Sequence, residues 1–94
     1  MKILFLPECR ADLRWFKRYY TSIFTEGRER ADRQFLTARK LLKTNPFIGH
    51  PVDGLEEVRA HHLPRTPFTI LYRLRKDRIE ILRILDNRSD QGSL

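Results

Sequence analysis

The sequence predicts an α+β domain, a helical hairpin packed on a small antiparallel sheet in the order β-α-α-β-β-β. Three observations carry that expectation. Apolar residues recur every three or four positions from Leu13 to Leu42, and they alternate at every second position from Val58 onward. The stretch between these regions, NPFIGHPVDG, holds two prolines and two glycines in ten residues and reads as a surface connection.

Residues 2 to 6, KILFL, form a short strand closed by Pro7. In the first helix Leu13, Phe16, Tyr20 and Ile23 share one face, while Arg10, Arg14, Lys17 and Arg18 fall mostly on the other. Gly27 marks its end. The second helix places Ala31, Phe35, Ala38 and Leu42 on one stripe and stops at TNPF. Pro46 there disfavours a helical Asn45 and supplies no amide donor. The few residues around Gly27 make the two helices an antiparallel hairpin.

Three strands follow. Val58, Ala60 and His62 alternate with Arg59 and His61; Phe68, Ile70, Tyr72 and Leu74 alternate with Thr69, Leu71, Arg73 and Arg75. In the last strand Ile79, Ile81, Arg83 and Leu85 face one way and Glu80, Leu82 and Ile84 the other, a pattern expected of a strand covered on both sides. RKDR turns between the final two strands. Residues 1–88 are thus read as a single domain, and 89–94, SDQGSL, as a frayed tail with nothing to bury.

The charge is distinctive: 19 Lys and Arg against 12 Asp and Glu give +7, which favours polyanionic or acidic partners. Cys9 is alone, which excludes an internal disulfide and a thiolate metal cluster and fits a reducing cytoplasm. MKILFLPECR holds four consecutive apolar residues before Pro7, too few for a secretory signal or a membrane anchor.

No phosphate loop, dinucleotide fingerprint, zinc-protease helix or nucleophile elbow is present in the sequence. His61 and His62 point to opposite faces of one strand, as do Glu56 and Glu57, so neither pair forms a metal site or an acid/base couple, and no cofactor or metal is expected. What remains is cationic. Arg59 and His61 share one strand face, Arg73 and Arg75 share another, Arg83 interrupts an apolar strand and Arg88 lies just beyond it. An arginine in such a pattern must reach solvent, a carboxylate or a ligand, and several converging ones would suit a phosphate or carboxylate. The alternative is that each pairs with a cross-strand acid such as Glu80. The first helix is also rich in aromatics: Trp15 and Tyr19, spaced i, i+4 on a flanking face beside Arg18, are expected to stay partly exposed as a contact site.

The element order, with CRADLRWFKRYY, LLKTNPFIGHPVDGLEEVRAHHLP and the hairpin built on ILYR and IEILRILDNR, resembles the RelE/ParE superfamily of type II toxin–antitoxin toxins over nearly the whole chain. The resemblance implies a cytoplasmic toxin held in a hetero-oligomer by a cognate antitoxin, whose C-terminal segment wraps the toxin's helices and sheet. Trp15, Arg18 and Tyr19 are then the candidate antitoxin contacts.

RelE-like members cut messenger RNA on the ribosome with basic and acid/base side chains around the sheet. Here Thr69 stands where such chains carry an arginine, and the ending DNRSDQGSL has neither His nor Tyr. An RNase reading would rest on His61, Arg73 and Arg88. ParE-like members inhibit DNA gyrase without a nuclease site, and PFIGHPVDGLEEVRAHHLPRTPFTILYRL looks closer to that branch. On that reading Arg59, His61, Arg73, Arg83 and Arg88 form a target-binding basic face. Asp86 departs from the pattern, because many ParE-like chains carry His there.

Overall fold

The computed structural model describes residues 1–88; the segment 89–94, expected to fray, lies outside the described residues. Strands β1 (Lys2–Phe5), β2 (His50–Pro51), β3 (Val58–His62), β4 (Phe68–Leu74) and β5 (Arg78–Asp86) form one sheet in the order β1-β5-β4-β3-β2. Helices α1 (Arg10–Arg18) and α2 (Arg28–Thr44) make the expected hairpin. Strands β2 to β5 pair antiparallel, but β1 runs parallel to β5, which makes the sheet mixed. A short apolar run such as KILFL reads the same whichever way its neighbour runs, so the sequence carried no sign of this pairing. The two-residue β2 lies on the edge beside β3, where Pro51 needs no ladder donor.

Aromatic side chains weld the hairpin to the sheet. Phe16 packs edge-on against Phe68 at 4.9 Å between centroids, and Tyr19 and Tyr20 also reach Phe68, at 5.8 and 5.9 Å. Two neighbouring residues face the core together because α1 does not continue as an ordinary helix. Residues Tyr19–Ile23 form a wider π turn, closed by Phe24 N–H donating to Tyr19 O at 2.7 Å. The turn shifts the phase of the apolar stripe. Tyr19, expected on a flanking face, is 9% exposed, whereas Ile23, expected in the core stripe, is 58% exposed.

A second phase shift corrects β5. Ile81 stands opposite Tyr72, but Arg83 stands opposite Leu71, so Leu82 is an extra residue in the ladder. Beyond this bulge the faces exchange: Ile84 is buried opposite Ile70, and Arg83 turns outward. No second layer covers the other apolar face of β5 among the described residues. Leu82 is half-buried there, and Arg73 and Arg78 close over Glu80.

Tyr72 ties the α2–β2 connection to the sheet. Its buried hydroxyl donates to Pro46 O at 2.7 Å and accepts the Gly49 amide at 2.9 Å. Gly49 has no room for a side chain, since a Cβ there would lie 2.7 Å from Tyr72 Oη and 2.9 Å from Ala60 O. Gly49→Ala is therefore expected to destabilise the fold by about 1–3 kcal/mol through overpacking. Urea unfolding should show a lower midpoint with an unchanged slope.

Candidate functional site

The fold distributes the predicted basic residues and gives most of them partners. Arg73 donates from Nε and Nη2 to Glu80 Oε1 at 2.9 and 2.7 Å, and Arg78 Nε reaches Oε2 of the same carboxylate at 3.0 Å. Glu80 is 6% exposed, and the hydrogen bond from Arg73 holds its carboxyl below the usual carboxylate range. Arg83 crosses to α1, where Nε and Nη2 meet Asp12 at 2.7 and 3.1 Å; Ile84 N–H adds a third bond to that carboxylate at 2.9 Å. Arg88 clasps Asp86 through Nε and Nη2, donates from Nη1 to Tyr19 Oη at 2.7 Å, and lies 4.2 Å above the Tyr19 ring.

Asp86 is thereby the fulcrum of a latch between β5 and α1. Trp15 Nε1–H also donates to it at 2.9 Å. Together with Arg88, this contact holds the Asp86 carboxyl at about 2 against an ordinary 3.8, the arginine being the larger influence. A carboxylate at this position accepts from both Arg88 and Trp15, and a single imidazole could not. Trp15 is half-buried and Tyr19 buried in this latch, so of the three expected antitoxin contacts only Arg18 is exposed.

His61 and Arg73 do not meet. His61 pairs with Ile70 and Arg59 with Tyr72, on the sheet face that carries the core; Arg73 pairs with Val58 and Glu80 on the other face. Burial, and then the charges of His62 and His50, lower the His61 pKa and favour its neutral form. Arg59 has no carboxylate partner among the described residues; it donates to the Phe47 and Gly49 carbonyls at 3.2 and 2.7 Å and stacks 5.0 Å from the Phe47 ring. No three His, Cys, Asp or Glu side chains among the described residues are placed to hold a metal ion, and none of the helices is long and apolar enough to cross a membrane.

The unpaired charge lies elsewhere. Residues 10–44, the helical hairpin, carry ten Lys and Arg against four Asp and Glu, whereas residues 45–88 carry eight against six. None of the ten hairpin cations forms an ion pair among the described residues. Between the helices runs a groove of about 490 Å³ lined by Leu13, Phe16, Lys17, Asp32, Phe35 and Leu36. Leu36 on its rim is 55% exposed. The composition of α2 gave a signal for this surface, because Leu36 lies off the Ala31–Phe35–Ala38–Leu42 stripe.

The Asp86 latch yields a pH prediction. Its carboxyl is depressed in the folded state, so its contribution is present above the ordinary value of 3.8 and is lost as pH falls toward 2. Arg88 is half exposed, so screening reduces the effect to about 1 kcal/mol. Asp86→Asn should lower stability by that amount at neutral pH and by progressively less below pH 4, as read by urea unfolding across the acid range.

Comparison with known proteins agrees with this architecture. The family described as "ParE toxin of type II toxin-antitoxin system, parDE" matches residues 3–91. A solved structure of the "Chromosomal ParDE TA system from P. aeruginosa" superposes with a TM-score of 0.67 at 29% identity, covering 89% of this chain and 92% of that one. No curated protein sequence matches significantly. With two helices on a five-stranded mixed sheet and a family match over almost its full length, the chain belongs to the ParE toxins of type II toxin–antitoxin systems.

Proposed function

We propose that this ParE toxin acts in the cytoplasm by binding DNA gyrase, without turning over a substrate. A cognate antitoxin silences it in a hetero-oligomer. The observation that carries the first part is the separation of the groups an RNase would need. Cleavage through a 2′-hydroxyl requires a base, an acid and charge stabilisation at one phosphate. His61 and Arg73 lie on opposite faces of the sheet, and Arg88 is bound to Asp86 and Tyr19. That arrangement supports a binding surface over a catalytic centre.

The antitoxin segment is assigned to the hairpin groove. Leu13, Phe35 and Leu36 offer an apolar floor, and the surrounding excess of arginine and lysine complements an acidic amphipathic segment. Arg18, exposed next to Lys17 of the lining, remains a contact, while Trp15 and Tyr19 are engaged in the Asp86 latch.

Purified protein should abolish gyrase supercoiling while messenger RNA stays intact in a parallel translation reaction, and His61→Gln should change neither result. Cut message with normal supercoiling would replace this reading with a ribosome-dependent nuclease. Leu36→Asp should weaken antitoxin binding at least tenfold, about 1.4 kcal/mol or more, while supercoiling inhibition persists. Calorimetric titration reads the affinity.

A further inference from the structure

A second groove lies away from the hairpin, where the α2–β2 connection meets the β4–β5 turn. Phe47, Glu57, Arg59, Leu74, Arg75 and Lys76 line its roughly 440 Å³. Phe47 is 64% exposed, the most exposed of the large hydrophobic residues among the described ones. Yet its backbone is pinned. Arg59 holds the Phe47 carbonyl, Tyr72 holds the Pro46 carbonyl, and Ile48 N–H bonds Asn45 O at 3.1 Å. A large aromatic ring presented to water on a fixed backbone has its ordering cost already met before any ligand arrives.

The charges around the ring favour an anion. Arg59 and Lys76 have no carboxylate partner among the described residues. Arg75 has two loose ones, Glu57 at 3.6 Å and Glu80 at 3.4 Å. Glu57 is the sole acid in the lining, and it occupies a left-handed backbone conformation at φ 64°. The Arg59 guanidinium stacks on Phe47 and uses Nη1 for its two carbonyls, which leaves Nε and Nη2 free to donate.

A flat ring backed by a guanidinium and flanked by an unpaired lysine and a loosely paired arginine is a stacking platform beside a phosphate track. An acidic peptide would use the cations, but only a nucleic acid places a planar group beside every anion of its chain. We propose that this groove binds a single-stranded segment of nucleic acid, one base stacking on Phe47 and the adjoining phosphates meeting Arg59, Arg75 and Lys76. The site is distinct from the antitoxin groove. It deepens the gyrase reading and rests on it for its biological setting, as the contact with unpaired DNA in the protein–DNA target.

The test uses the full chain and a fluorescein-labelled oligothymidylate of about twelve nucleotides, a length that spans one such site. Anisotropy is followed at several salt concentrations. Binding should weaken steeply with salt. Phe47→Ala should lower affinity roughly tenfold with the salt slope unchanged, because it removes stacking alone. Lys76→Glu should lower both the affinity and the slope, the latter by about one. Both side chains are exposed, so a melting curve matching wild type verifies the fold.

An oligonucleotide bound equally well by Phe47→Ala, or not bound by wild type, would overturn the proposal. So would Phe47-dependent capture of a labelled glutamate-rich peptide in place of the oligonucleotide, which would make the occupant a protein. Supercoiling inhibition is measured separately. If gyrase is inhibited but the oligonucleotide does not bind, this inference alone fails; Phe47-dependent binding with normal supercoiling would refute the gyrase target and leave the groove standing.

Discussion

Neutralisation of arginine within the sheet is the constraint on which the rest of the structure depends. Glu80 is almost fully enclosed, and a carboxylate in that position is tolerable only with cations around it. Arg73 and Arg78 provide them, and in doing so they cover the face of β5 that no helix among the described residues shields. The same logic operates at the α1–β5 contact, where Asp12 fastens Arg83 across it, and Asp86 holds both Arg88 beside it and Trp15 across it. Removing one partner of such a pair leaves an uncompensated charge, so these arginines are bound to the fold before they are available to any target. The positive charge left for partners then concentrates on the helical hairpin and around Phe47.

Much of this architecture was legible in the sequence, because burial imposes periods that survive without coordinates. The spacing of Ala31, Ala38 and Leu42 located α2, and the alternation of Phe68, Ile70 and Tyr72 located β4; all six are buried. Periods fail where the backbone slips. The π turn at Tyr19–Ile23 and the extra Leu82 each shift the phase by one residue, which exchanged Tyr19 with Ile23 and Arg83 with Ile84. Neither irregularity has a proline or glycine to announce it.

The site was less legible than the fold, for a different reason. The cations could be counted in the sequence, but their counter-ions could not be assigned. Asp12 meets Arg83 across 71 positions of chain, and Trp15 meets Asp86 across another 71, separations that no local pattern encodes. Only the Arg73–Glu80 pair, spanning a tight hairpin, was within reach of cross-strand reasoning. Phe47 was overlooked because it lies in a connection, where no period identifies an exposed aromatic as presented rather than stray.

On this reading the closely paired Arg73, Arg83 and Arg88 serve the fold, and partners use the cations that no close carboxylate holds. Supercoiling inhibition by Arg73→Gln tests it most directly, assayed below the melting temperature of the variant so that the folded fraction matches wild type. The variant should be a less stable protein that inhibits gyrase as fully as wild type. A variant that is folded yet no longer inhibits would contradict it and return Arg73 to the working surface.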